Sequence, residues 1–517
     1  MNPIDQLSAE TIELVKQAFA KGSESISKAG ITTSLGLVGY NLEAPAQNLY
    51  PVLSPLRNRI PRTKAPVGSL AANWKAVTGI NTANLEASAT FGTRNSAISY
   101  TEVDKAATYK TFGLDDTVQH ESVWLGRGFD DVRARSTLST LQATMIEEEK
   151  LLLGGLDDVK TLGTPATPTA GTAAGGGTWG GATNYIQCKV VALPLYGWLN
   201  SDPGVLTALG PRRSALSAKV AIQLAATTET ITFTVAPKNG AVAYAWFVAD
   251  KATNDATDAE LLLAAITTVP SARFTGPASG GNLAATGIVD ASGRSIAFNG
   301  IMPQILNPLT TLTTVSTETS GVLKRGTAGT DATNALVYDM TSSVTALGTV
   351  LTSDNAGGIV EFDKILKALW DYSRIGPSLI LMHSQEALSA TKIILGSTTG
   401  ATSRINLEFG DKGITGGMFV NGYLNKFTGS MTPGSPDVIP FLIHPYMPPG
   451  TVVFLSERIP YPNANVPSVF EMEMQQEYTD FEWAMTQRQY EHGVYAMGVL
   501  KHRFPAGCAI IRSIKAS

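Results

Sequence analysis

The five histidines, His120, His383, His444, His492 and His502, stand at spacings that match no metal-ligand pattern, and neither HExxH nor CxxC occurs. The dipeptide Gly-Lys is absent, so no phosphate-cradling P-loop is encoded. Gly126-Arg127-Gly128 lacks the third glycine of a dinucleotide fingerprint, and there is no GxSxG nucleophile elbow. His383-Ser384, after the apolar run SLILM, is the pair closest to a catalytic one, and a serine N-cap opening a helix accounts for it. The acidic run Glu471, Glu473, Glu477, Asp480 and Glu482 offers carboxylates, but its spacing of two to four closes no metal cage. It reads as a solvated or subunit-facing strand. No catalytic residue, cofactor or metal is expected.

The charge pattern that asks for a partner lies earlier. Residues 48–64, NLYPVLSPLRNRIPRTK, carry Arg57, Arg59, Arg62 and Lys64 among Leu49, Tyr50, Val52, Leu53, Leu56 and Ile60. Pro45, Pro51, Pro55, Pro61 and Pro66 remove donors and hold the preceding residues extended. An extended arm that is both apolar and basic has to lie on something, either its own domain or a neighbouring chain. The acidic run at 471–482 is the complementary stretch, and the expectation is an inter-subunit contact of Arg57, Arg59, Arg62 and Lys64 with Glu471, Glu473 and Glu477. Nucleic acid, whose phosphates attract arginines whatever the sequence, is the competing partner.

The elements around these residues follow from periodicity. Residues 129–153, FDDVRARSTLSTLQATMIEEEKLLL, form the longest helical pattern free of Pro and Gly, roughly 38 Å at 1.5 Å per residue. Ala134, Leu138, Leu141, Met145 and Leu152 form its apolar stripe, interrupted by Glu148; Asp130 and Asp131 suit its start and Gly154 a left-handed C-cap. A short amphipathic helix is expected over 8–21. Residues 72–79 and 98–113 read as two strands, with Trp74, Tyr100, Tyr109 and Phe112 as anchors. Two strands alone are not stable in water, so this hairpin needs a surface. A Pro/Gly/Thr linker (161–183) leads to strand-like runs at 184–194, 214–225, 228–237, 241–250 and 261–276, with Asn239-Gly240 as a hairpin turn and half-buried alternation, the pattern of an immunoglobulin-like sandwich. Later come helices at 359–375 and after His383, a central strand in SLILMH, a hairpin around Asn421-Gly422, and a strand pair around Pro505–Gly507.

The whole-chain numbers agree with a structural role. In 517 residues, 44% are hydrophobic but only 16% charged, against about 25% in typical soluble proteins. A surface poor in charge suits permanent contacts. The net charge of −4 carries no basic footprint of a dedicated nucleic-acid binder. Cys188 and Cys508 make no disulfide scaffold. No signal peptide and no apolar run near 18 residues is visible, so the chain is expected in the cytosol, at least initially, and not in a membrane.

Three stretches, LGLVGYNLEAPAQNLYPVLSPLRNRIPR (35–62), ALWDYSRIGPSLILMHSQEAL, and IHPYMPPGTVVFLSE with the C-terminal YAMGVLKHRFPAGCAII, in this order, resemble the major capsid proteins of tailed bacteriophages. The resemblance covers most of the chain. It implies an α+β fold of the Hong Kong 97 type, with an N-terminal helix and arm (1–70), an E-loop hairpin (71–112), a peripheral domain with the spine helix (113–160), an inserted all-β immunoglobulin-like sandwich after a linker (161–282), remaining peripheral strands and an axial domain (283–448), and C-terminal strands returning to both (449–517). It implies hexamers and pentamers in an icosahedral shell around double-stranded DNA, assembled in the bacterial cytoplasm with a portal and separate scaffolding or decoration proteins, since only about 40 residues precede the arm. An adhesin built on the sandwich and a cytosolic α/β enzyme are the two rival classes; the missing signal peptide and missing motifs count against them.

Overall fold

Four-residue strands, buried throughout, make the centre of the largest sheet. A computed structural model describes residues 53–66, 68–81, 99–126, 131–157, 161–293, 298–327, 335–340, 348–395, 420–427, 438–459, 465–485 and 487–515. The helix expected at 8–21, the arm before residue 53 and the connection 82–98 lie outside them. Contacts divide the chain into two units, Met1–Pro51 with Val118–Arg135, and Val52–Thr117 with Ser136–Ser517.

In chain order, the larger unit opens with α1 (Pro55–Arg59), β1 (Arg62–Lys64), β2 (Ala71–Asn81), β3 (Ser99–Thr108) and most of β4 (Lys110–Gln119). The end of β4, α2 (His120–Leu125) and the first turn of α3 (Val132–Gly154) are the described part of the smaller unit. In α2 no residue is buried, and Trp124 and Leu125 are exposed. Asp131 caps α3, its carboxylate accepting from Ala134 N–H at 3.2 Å, as the acidic start predicts.

The larger unit continues with β5 (Thr169–Ala173), β6 (Tyr185–Leu193), α4 (Leu195–Leu199), β7 (Val220–Gln223), β8 (Thr230–Thr234), β9 (Ala243–Lys251), β10 (Leu262–Thr267), β11 (Ser271–Phe274) and α5 (Ile301–Ile305). Then follow β12 (Leu312–Thr317), β13 (Val322–Gly326), β14 (Leu336–Asp339), α6 (Val360–Ser373), β15 (Leu379–Met382), α7 (Ser384–Leu395), β16 (Gly422–Leu424), β17 (Val438–Ile443), β18 (Val452–Leu455), β19 (Phe470–Glu482), β20 (Gln489–His502) and β21 (Ala509–Arg512). The fold class is α+β, as expected.

An eight-stranded mixed sheet runs β12-β13-β14-β21-β18-β15-β17-β16. Its central strands LVYD, AIIR, VVFL and LILM are buried throughout, because both faces are covered. Val337, Leu379, Leu381, Val453, Leu455 and Ile510 point into one core, shared with Leu151–Leu153 of α3 and with Met472, Met474 and Val499 of the neighbouring sheet. The alternate residues Leu336, Tyr338, Ile380, Met382, Phe454 and Ile511 point into the other, under Phe362, Ile365, Leu366 and Leu369 of α6. Each such side chain contributes about 1.5–3 kcal/mol by burial. β18 pairs with β21, Val453 opposite Ile510.

A second sheet runs β1-β19-β20-β4. The strand pair expected around Pro505–Gly507 does not form: β20 belongs to this sheet and β21 to the eight-stranded one. The hairpin β2–β3 is a two-stranded sheet by itself, Trp74 opposite Lys105.

The sandwich has a four-stranded sheet, β10-β9-β6-β7, and a three-stranded one, β11-β8-β5, all antiparallel. Cys188, Val190, Trp246 and Val248 from one meet Phe233 and Phe274 from the other. Three expectations change here. The supposed linker contains β5. Asn239-Gly240 does not close a hairpin, since β8 and β9 lie in different sheets. And β9 is buried on both faces, because Val191, Phe247 and Leu263 meet a further cover that includes Leu206, Leu283 and Ile288. The segment 214–218 lies along β6 without being a regular strand: Ser214 and Ser217 hydroxyls accept from Ala192 and Val190 N–H at 2.8 and 2.9 Å.

On α3 the buried face differs from the expected stripe. Leu138 is exposed, whereas Ser136, Thr140, Thr144 and Glu148, four apart, are buried. Thr140 and Thr144 hydroxyls donate to the carbonyls of Ser136 and Thr140 at 2.9 and 2.8 Å, so the two threonines are satisfied within the helix. Gly154 takes no left-handed conformation; it clears room, since a Cβ there would come within 2.4 Å of Leu195. Around Asn421-Gly422 the first strand of the expected hairpin lies outside the described residues, and Gly422–Leu424 pairs with β17.

Candidate functional site

The arm seats on two adjacent carboxylates near the end of α3. Glu149 is fully buried; its two oxygens accept from Leu56 and Arg57 N–H, each at 2.8 Å. Those donors are the orphan amides of α1, whose N-cap Ser54 makes no side-chain cap, so a carboxylate 93 residues away closes the turn. His444, also fully buried, places Nε2 2.7 Å from Glu149 Oε1 while its Nδ1 accepts from Tyr446 N–H at 3.2 Å. Nδ1 as acceptor makes Nε2–H the donor to Glu149.

Glu148 faces the side chains. Arg57 Nε lies 2.7 Å from its Oε2, and Arg62 and the Tyr478 hydroxyl complete the cluster. Both guanidinium groups also sit over the Tyr478 ring, 5.3 and 5.7 Å from its centroid. Burial, then the Glu148 charge, pushes the Tyr478 phenol up to about 12, so it stays a donor. Arg59 forks onto Glu457 at 2.7 and 2.9 Å near the surface.

β1 then joins β19 as a parallel edge strand, Arg62 opposite Met472 and Lys64 opposite Met474, and Ala65 N–H extends the ladder to Met474 O at 2.8 Å. The acidic strand is thus the arm's neighbour within one chain. Its inner carboxylates are buried and engaged there: Glu471 with Arg503 and with Thr63 Oγ1, at 2.5 Å, and Glu473 with Lys501 and with the Tyr109 hydroxyl, at 2.6 Å. Burial opposes the charge on Glu471, yet Thr63 and Arg503 hold its carboxyl below the ordinary range. The outer half of β19, with Glu477 and Asp480, is exposed.

The expected residues therefore separate. Arg57, Arg59 and Arg62 find carboxylates in their own chain, Glu148 and Glu457, rather than Glu471, Glu473 or Glu477. Lys64 is exposed. Tyr109 is buried, Trp74 is half-buried against the main core, and Tyr100 is exposed. Glu148, Glu149, His444 and Tyr478 were not legible as a site, although Glu148 breaking an apolar row was the available signal.

Among the described residues, the outer part of the hairpin is exposed. Lys75 pairs with Glu102 at 2.8 Å across its exposed face, while Val77 and Tyr100 stand open at 60% and 58% exposure. Beneath its base is a cleft of about 380 Å³ lined by Trp74, Lys105, Asp157, Gln304 and His502. His502 stacks on Phe470 at 4.3 Å, and burial holds its ring well below the usual histidine range.

His383 supplies no catalytic pair. Ala387 N–H bonds to its carbonyl and Gln385 N–H to its Nδ1 at 3.2 Å, so His383, not Ser384, is the N-cap of α7. Burial lowers its pKa, consistent with a neutral accepting ring. Among the described residues no group of three or more His, Cys, Asp or Glu is placed to hold a metal ion.

No protein-family model matches the chain. No curated protein matches it. Among solved structures it is similar to the capsid of an empty GTA particle computed with C5 symmetry, at 6% identity and a TM-score of 0.43, covering 95% of this chain and 100% of that one. It is similar to the capsid of Myoviridae phage XM1, at 7% identity and 0.36, covering 94% and 99%. A structure from Mycobacterium phage Bobi aligns at 8% identity and 0.35, covering 95% and 100%.

Proposed function

We propose that this chain is a shell subunit, the major capsid protein of a tailed bacteriophage, assembling into hexamers and pentamers of an icosahedral shell around double-stranded DNA. The observation that carries this reading is the hairpin. β2 and β3 form a sheet of two strands with Val77 and Tyr100 exposed, and such a pair is marginal in water unless something covers it. A protein that keeps an extended two-stranded element with open apolar side chains has a use for it in permanent association, and the low charge of the sequence fits a surface spent on such contacts. A neighbouring copy is the cover in this reading. The contacts available to neighbours are Trp74 and Tyr100 on the hairpin and Lys64 and Glu477 beside it on the arm and β19, since the other arm cations and inner acids are engaged within the chain.

A portal, separate scaffolding or decoration proteins, and sequence-independent contact with packaged DNA belong to the same reading, as does a virion location after assembly in the host cytoplasm. No catalysis is proposed, and among the described residues no helix is long and apolar enough to cross a membrane. Electron microscopy of the expressed protein tests the reading: closed shells or ring-shaped capsomers are expected. A small particle that stays monomeric at every concentration, with scaffolding protein supplied, would contradict it.

A further inference from the structure

One buried charge cluster lies outside the contacts proposed for assembly. Register places Asp339 on β14 opposite Arg512 on β21. The Arg512 guanidinium forks onto the fully buried Asp339 through Nε and, at 3.2 Å, Nη2, and Lys324 from β13 reaches the same carboxylate at 2.8 Å. That leaves donors on Arg512 unused by the carboxylate. Nη1 lies 3.1 Å from Asn239 Oδ1 and 3.4 Å from Lys238 O. Both belong to the turn at 237–240, where the chain crosses from one sheet of the sandwich to the other.

The same turn is held from other sides. Asn239 Nδ2 donates to Thr310 O at 2.7 Å, just before β12, and Lys238 N–H donates to the Tyr244 hydroxyl at 2.9 Å. Gly240 is left-handed, with φ of 80°, and a Cβ there would come within 2.8 Å of Pro308. Next to the turn, Val242 packs in the core of the eight-stranded sheet, together with Leu195 and Tyr196 beyond the end of β6.

We infer that Arg512 is a keystone: by gripping the turn at 237–240 it makes the sandwich and the eight-stranded sheet one cooperative unit, not a module on linkers. The sandwich is then fixed in place by β21, a strand more than 230 residues further along the chain.

Two substitutions in the full chain test this. Arg512→Lys keeps a cation opposite Asp339 but has no fork to span both partners. Asn239→Ala leaves the ion pair intact and removes the turn's side-chain acceptor together with its Nδ2 bond to Thr310 O, so unchanged exchange in this variant decides against the grip even if Arg512→Lys does not fold. The unsubstituted chain is expected to unfold in one calorimetric transition covering the sandwich and the eight-stranded sheet. Both variants are expected to raise hydrogen exchange across 237–245 at least tenfold and to separate the sandwich transition from that of the sheet. Two resolved transitions in the unsubstituted chain, or unchanged exchange over 237–245 in Asn239→Ala, would overturn the inference.

Discussion

The sandwich and the hairpin are both β excursions, and they end in opposite conditions. The sandwich closes on itself: two sheets share Phe233, Trp246 and Phe274, and the outer face of β9 is covered as well. The hairpin does not: one sheet of two strands, anchored at its base by Trp74 and Tyr109, carries Val77 and Tyr100 into the open. The arm stands between them, short and extended but seated on Glu148 and Glu149. Burial of apolar area is available to an element only if a second layer exists. The sandwich brings its own, the arm borrows one from α3 and β19, and the hairpin has to find one outside.

This contrast orders the expected effects. The largest belongs to the closed element. Trp246 is fully buried and its Nε1 donates to Thr267 Oγ1 at 2.8 Å; Trp246→Ala should cost about 3–5 kcal/mol. Urea unfolding measures it, and a loss below about 1 kcal/mol would mean the sandwich is not the packed layer described here.

Next comes Glu386 on α7, whose carboxylate accepts from Gly450 N–H at 2.8 Å; a Cβ at Gly450 would lie 3.5 Å from Thr268 Oγ1, just after the sandwich's β10. Burial pushes this carboxyl up from 4.5 to about 7. The folded state therefore holds a proton that the unfolded chain releases, so its contribution is full below about pH 4.5 and is lost as pH rises to about 7. The displacement corresponds to about 3 kcal/mol. Glu386→Gln keeps an acceptor for Gly450 and cannot ionise. Its Tm should exceed that of the unsubstituted chain at about pH 8, with the difference closing towards pH 4.5. Equal Tm values at pH 8 would contradict this.

The arm should respond less. Glu149→Gln leaves one buried N–H of α1 without an acceptor, at a cost of about 1–3 kcal/mol, and should expose the arm to proteolysis near residues 53–66. A digestion pattern identical to that of the unsubstituted chain would show that the carboxylate does not hold the arm.

How much of this was legible depends on whether the deciding contact is local. The runs LILM, VVFL and AIIR announce central strands because a strand covered on both faces needs no polar alternation. The hairpin and its lack of a partner follow from β-rich residues with nothing apolar nearby. Strand partners were less visible. Asn239-Gly240 and Pro505–Gly507 have the composition of tight turns, yet at both the chain passes from one sheet to another. The face of α3 was misread because Ser136, Thr140 and Thr144 count as polar, although the two threonine hydroxyls are satisfied within the helix and Ser136 bonds Asp116 and His492. Glu148 showed only as a break in an apolar row, and the site it forms with Glu149 stayed hidden, since their partners Arg57, Arg62, Tyr478 and His444 converge only when arm, helix and two later segments meet.

The smallest effect on the free chain and the most direct test concern the hairpin. Replacing Val77 and Tyr100 by Ser should change the stability of the unassembled chain by no more than about 0.5 kcal/mol, as for exposed sites, while reducing assembly. Hydrogen exchange measured on free subunits and on assembled particles decides between an open and a closed hairpin. Fast exchange is expected in the outer hairpin, 75–81 and 99–104, of free subunits, with strong protection of both in particles and protection of β6 and β9 in each state. Strong protection of 75–81 and 99–104 in free subunits would contradict an open hairpin.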